Sequence, residues 1–170
     1  MINIIRRFKN FGLLEALVIF SATYVISMLL WTASTRSAVQ EKANTVKSNH
    51  KIIVDFINTE INKCDKGEDN SKTKWGDTCK GEWLSEKVII YINKNMKISN
   101  PYSSQKEIIK PAQDPRLQAE GKAGQSTEMG IIFLSSQNCS AEAGSEWVIG
   151  TCIKSPCVAA GNNELTSVYR

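Results

Sequence analysis

Residues 11–31 read FGLLEALVIFSATYVISMLLW, an apolar run with a single charge, Glu15, near its start. From 16 to 35 no residue is charged. At a rise of about 1.5 Å per helical residue that stretch reaches about 30 Å, the hydrocarbon thickness of a bilayer. Neither Gly nor Pro occurs between Gly12 and Gly67, so nothing in the chain ends the helix at a membrane surface. The run therefore predicts one long helix. Its first half (11–35) lies in lipid or in an apolar bundle, and its second half (36–62) packs on a small globular domain.

The second half carries its own pattern. Val39, Ala43, Val46, His50, Ile53, Ile57 and Ile61 recur three or four residues apart, which places them on one helical face. Ile52, Val54 and Phe56 widen the face, while Gln40, Glu41, Lys42, Lys47, Lys51 and Asp55 fall on other sides. Such a stripe suits a helix laid along a sheet. A coiled-coil dimer would need a longer heptad run than this one. His50 falls on the stripe, which makes it a packing residue rather than a ligand or a catalyst.

With about 35 of the 170 residues committed to the apolar segment, the remainder suits one compact domain. The formal net charge of +4 comes largely from Arg6, Arg7 and Lys9, ahead of the apolar run. This basic head fits an N-terminus held in the cytoplasm with the rest of the chain exported. No basic patch interleaved with aromatics appears, which argues against a nucleic-acid site. Cys64, Cys79, Cys139, Cys152 and Cys157 all lie in the part to be exported, where disulfides are the expected state. There is no CxxC pair, and His50 is the only histidine, so no metal site is expected.

Residues 63–81 are polar with three glycines and read as a surface loop bracketed by Cys64 and Cys79, the favoured pair. The acidic cluster Asp65, Glu68 and Asp69 lacks the alternating spacing of a calcium loop. In 82–98, Leu84, Val88, Tyr91, Ile92 and Met96 recur at helical spacing, and Ser99-Asn100-Pro101 ends that helix. Residues 99–129 read as a connection, with a short strand near 107–110. Three apolar runs, 130–135, 146–154 and 164–169, then read as an antiparallel meander. One face of the sheet covers the helix stripe and the other can meet solvent. The loop ahead of the second run carries Cys139, which can bridge to Cys152 or to Cys157, leaving one thiol over. The fold class is α+β: a long N-terminal helix packed on a small C-terminal antiparallel sheet, with disulfides in the head (63–170).

The N-terminus is the most specific part. A basic leader (1–10, MINIIRRFKN), then Phe11, then Gly12, Leu13 and Leu14, then Glu15 and an unbroken apolar helix resembles the class III signal of the type IV pilin family. The resemblance is specific over the first 31 residues and architectural beyond them. It implies cleavage by a prepilin peptidase between Asn10 and Phe11, N-methylation of Phe11, and Glu15 as the assembly carboxylate. It further implies a structural subunit, major or minor, of a helical filament made of copies of this chain. The subunit would wait in the inner membrane, single-pass with its N-terminus in the cytoplasm, and inner-membrane assembly machinery would place it in an extracellular pilus serving adhesion, motility or DNA uptake. Two positions depart from the family pattern: Asn10 stands where Gly is usual before the cut, and no Pro interrupts the second half of the apolar segment. The alternatives are a pseudopilin of a type II secretion system, against which the cysteines weigh, and a monomeric, membrane-anchored binding domain that keeps its leader. No nucleophile–base pair, phosphate loop or HExxH motif is present, so neither an enzyme nor a cofactor is expected.

Overall fold

The computed structural model describes residues 12–66, 72–104, 107–122, 128–135 and 146–169. Helix α1 spans Leu13–Asp65 without interruption, as the absence of Gly and Pro requires. The chain divides into two compact units, 1–40 and 41–170. The second contains the lower part of α1, helix α2 (Ser85–Asn95), strand β1 (Ile109–Ala112), helix α3 (Pro115–Glu120) and strands β2 (Ile132–Ser135), β3 (Glu146–Cys152) and β4 (Asn163–Tyr169).

The stripe on α1 is buried as its spacing predicts: Ala43, Val46, His50, Ile53, Ile57 and Ile61 all face inward. Val39 belongs to the first unit and is exposed, as is Ile52, while Val54 and Phe56 are half-buried. Two polar residues that hydropathy passes over, Asn49 and Glu60, are buried on the same stripe. Each meets a backbone group of a neighbouring segment. Asn49 Nδ2 donates to the Ser99 carbonyl at 2.9 Å, and Glu60 Oε2 accepts from the Lys74 amide at 2.9 Å. Both are thus satisfied where an unpaired polar group would cost about 1–3 kcal/mol.

The sheet runs in the order β1-β2-β3-β4. Pairs β2–β3 and β3–β4 are antiparallel, as the meander reading has it. Strand β1 instead pairs parallel with β2, so the sheet is mixed rather than purely antiparallel. The reason lies in 99–129, which is more than a connection. Parallel neighbours need a crossover, usually helical, and α3 supplies it. Asp114 caps α3 by accepting from the Arg116 and Leu117 amides, Pro115 opens it, and Gly121 closes it in the left-handed region at φ 71°.

Side-chain alternation gives the sheet two dissimilar faces. Ile109, Ile132, Leu134, Trp147, Ile149 and Val168 form one core with Ile53, Ile57 and Ile61 of α1 and Val88, Ile89 and Ile92 of α2. The opposite face is partly roofed by α3 rather than left to solvent. A Cβ at Gly150 would lie 2.4 Å from the Pro115 carbonyl oxygen and 3.1 Å from Ala119 Cβ, so only a bare backbone admits α3 at that distance.

The segment after α1 is not a simple surface loop. Trp75 and Trp83 are buried, and their rings meet edge to face at 5.1 Å, with Trp147 beside both. Asp77, also buried, organises the turn: its carboxylate pairs with Lys87 of α2 and accepts from the Leu84 amide at 3.2 Å, while its own amide donates to Thr73 Oγ1 at 3.0 Å. Cys64 and Cys79 are joined, with Cα atoms 5.2 Å apart, as their bracketing of the loop predicts. The second bridge corrects the expectation for Cys139. Cys152 pairs with Cys157, five residues on, with Cα atoms 5.2 Å apart. The β3–β4 connection folds back to make this possible: Asn162 Nδ2 donates to the Pro156 carbonyl and Asn163 Nδ2 to the Cys157 carbonyl. Cys139 lies outside the described residues.

Two further asparagines fix the connections. Asn93 of α2 accepts from the Ile108 and Ile109 amides and donates to the Ile109 carbonyl. Asn100 donates to the Met129 carbonyl and accepts from the Tyr102 amide. Gly130, at φ 78°, lies so close that a Cβ there would stand 2.2 Å from Asn100 Oδ1.

Two stability measurements follow, each read by tryptophan fluorescence during urea unfolding of the detergent-solubilised chain. Replacing Cys64 and Cys79 together by Ser opens a loop with a sequence separation of 15 and costs about 3 kcal/mol. Asn93→Ala strands the backbone groups of Ile108 and Ile109 and costs about 2–3 kcal/mol. A loss below about 0.5 kcal/mol, the range of a neutral surface change, contradicts either account.

Candidate functional site

The residues that resist a purely structural explanation are in the first unit. Helix α1 begins immediately after Gly12, so Glu15 is the third residue of its first turn. Glu15 Oε2 accepts from the Gly12 amide at 3.2 Å. This is the returning half of a capping box, in which the third helical residue satisfies an amide that no helical carbonyl can reach. A carboxylate is also favourable at the positive end of the helix dipole. Glu15 thus has a local role that sequence spacing alone does not reveal. Asn10 and Phe11 lie outside the described residues.

Beyond Glu15 the helix is apolar and exposed on every side. Leu13, Leu14, Phe20, Tyr24, Leu30 and Trp31 are each more than two-thirds accessible, and Leu17, Val18, Val25, Ile26, Met28 and Leu29 more than half. The helix is long and apolar enough to cross a membrane, with a window of mean hydropathy 2.1 of which none is buried. A surface of this extent cannot stay in water; it belongs against lipid or against other helices. Five of the hydroxyl residues within it are silenced locally. Ser21 donates to the Val18 carbonyl, Thr23 to Ile19 and Phe20, Ser27 to Thr23, Thr32 to Leu29 and Thr35 to Trp31, at 2.8–3.1 Å. These five hydroxyls are satisfied by their own helix, so they carry little penalty in hydrocarbon. Glu15 is the one residue of 13–35 whose charge a neighbour could read.

In the second unit, His50 is the only imidazole and is buried. Its Nε2 lies 2.9 Å from Thr166 Oγ1 on β4, while Nδ1 has no partner among the described residues. Burial pushes its pKa below the ordinary value, partly opposed by the Glu164 carboxylate on the same strand, which itself pairs with Lys47 of α1 at 3.5 Å. A neutral imidazole with one hydroxyl partner and no nucleophile beside it is a packing element. Among the described residues no group of His, Cys, Asp and Glu is arranged to hold a metal ion.

No known protein-family model, no curated protein and no solved structure matches the chain.

The environment of His50 sets a pH dependence. The unfolded imidazole titrates near about 6.5 and the folded one lower. Above the unfolded pKa both states are neutral and the full stability is present. As pH falls through that value the unfolded chain takes up a proton that the folded chain refuses, and stability drops by at most about 1.4 kcal/mol per pH unit until the folded imidazole also titrates. Urea unfolding between pH 7.5 and 5 should show this slope in the wild type and a flatter one in His50→Gln, which keeps a donor for Thr166. Equal slopes in the two proteins would contradict the assignment.

Proposed function

We propose that the chain is a subunit of a type IV pilus-like filament, anchored in the inner membrane before assembly and polymerised through its apolar helix. The observation that carries the reading is an exposed, uninterrupted apolar helix whose one carboxylate sits in its first turn, four residues after Phe11. Cleavage after Asn10 leaves an ammonium on Phe11. In a bundle of such helices the Glu15 carboxylate of one copy pairs with the Phe11 ammonium of the next. In low dielectric a misplaced register leaves both charges uncompensated, so the pair selects the register more than it adds net stability. The disulfide-closed unit 41–170 then forms the outer wall, which suits an oxidising exterior.

A second reading draws on the bond between Glu15 and the Gly12 amide. If that bond is all Glu15 does, the chain is a monomeric, membrane-anchored domain that keeps its leader.

Two substitutions separate the readings. Glutamine caps a helix in the same position but carries no charge for an ammonium. Under the pilin reading both Glu15→Ala and Glu15→Gln abolish filaments while the protein still accumulates in the membrane. Under the anchor reading Glu15→Gln behaves as wild type. Mass spectrometry of the native N-terminus adds an independent measurement: the pilin reading requires an N-methylated Phe11, and an intact Met1 on material recovered from surface filaments overturns it.

A further inference from the structure

The two edges of the sheet are finished differently. Strand β1 is short, contains Pro111 and has its outermost backbone groups occupied by the Asn93 side chain of α2. Such an edge cannot accept another strand. Strand β4 has none of these protections. It pairs with β3 residue by residue over its full length, Asn163 opposite Cys152 through Tyr169 opposite Glu146, with no bulge. It contains no Pro and no Lys. Among the described residues, 163–169 make no backbone hydrogen bond other than those to β3. A seven-residue edge whose outward amides and carbonyls are unpaired among the described residues is a template for strand addition.

Two exposed apolar side chains lie on the same strand. In the second unit the large exposed ones are Ile52, Ile90, Leu117, Val158, Leu165 and Tyr169. Leu165 and Tyr169 lie on one face of β4, four residues apart. Leu117 is on α3, the helix packed over that face.

The geometry points to a second copy of this chain as the occupant, its β4 pairing antiparallel with the first about a two-fold axis at Ser167. The argument is self-complementarity. A two-fold axis normal to the sheet keeps each side chain on its own face, so strand positions that oppose each other must share parity. With the axis at Ser167, Leu165 of one copy opposes Tyr169 of the other, and Thr166 opposes Val168. Both exposed apolar residues gain an apolar partner on one face, a combination that stabilises sheets, while on the other face Val168 is already buried in its own unit and Thr166 already meets His50. Moving the axis to Thr166 sets Leu165 against Ser167 and Glu164 against Val168, which loses the contact between Leu165 and Tyr169. An axis at Leu165 leaves Tyr169 with no strand residue opposite it. This pairing is two-fold, whereas successive subunits of a polar filament are related by a screw, so it stands independently of the filament reading.

The test uses the full chain in detergent micelles with Cys139→Ser as background, so that the introduced thiol is the only one outside the two bridges. Ser167→Cys places a thiol on the axis, where directly opposed Cα atoms lie about 4.5–5.5 Å apart, within disulfide range. Leu165→Cys places the two thiols four residues out of step, beyond that range. Under mild oxidation Ser167→Cys should give a disulfide-linked dimer and Leu165→Cys should remain monomeric. Adding Leu165→Lys to Ser167→Cys sets a charge on the apolar contact and should abolish the dimer. A monomeric Ser167→Cys chain, equal cross-linking of the two cysteine variants, or a dimer indifferent to Leu165→Lys each overturns the proposal. Unchanged near-ultraviolet circular dichroism of the variants establishes that the unit is folded.

Discussion

One uninterrupted helix has to satisfy two different solvents, and most of the structure answers to that constraint. Over its first turns α1 must present only what hydrocarbon or a neighbouring helix tolerates, and hydroxyls such as Ser21 and Ser27 bond back to carbonyls three or four residues earlier to meet that demand. Over its last turns the same helix is the floor of a globular core, and its stripe from Ala43 to Ile61 decides where everything else packs. The sheet lays one face on that stripe through Ile132, Leu134, Trp147 and Ile149. Apolar contact alone does not fix the connections, because it is non-directional. Direction comes from Asn49, Glu60, Asp77, Asn93 and Asn100, each of which meets a backbone group of another segment.

These polar side chains also mark the limit of what the amino-acid pattern discloses. The apolar run, the stripe, the Cys64–Cys79 bridge, α2 and the three antiparallel strands all depend on periodicity or spacing, which a single sequence displays. Trp75 and Trp83 escape that reading because their segment is polar on average. Their burial depends on Glu60 and Asp77 holding the turn against α1 and α2, and that is a tertiary fact. Helix α3 is different, since Asp114-Pro115 and Gly121 are local start and stop signals. Six residues is too short for an apolar period to stand out, so the parallel placement of β1 stayed hidden with it. The Cys152–Cys157 bridge turns on how tightly the following loop folds back, which the count of cysteines does not encode.

The candidate site divides in the same way. Glu15 is legible because a lone charge at the mouth of an apolar run stands out against its surroundings. Its bond to the Gly12 amide is not legible, because a capping box is usually sought from a hydroxyl residue three positions earlier, and here that position is glycine. His50 is legible as part of a stripe, whereas its pairing with Thr166 joins positions more than a hundred residues apart.

The inward-turned hydroxyls of the apolar helix have one more consequence. Because Ser21, Thr23, Ser27, Thr32 and Thr35 bond within their own helix, these groups need nothing from whatever lies alongside. Exchanging acyl chains for protein neighbours therefore neither breaks nor creates a hydrogen bond at those five positions. At those positions the segment is indifferent to which of the two surroundings it meets.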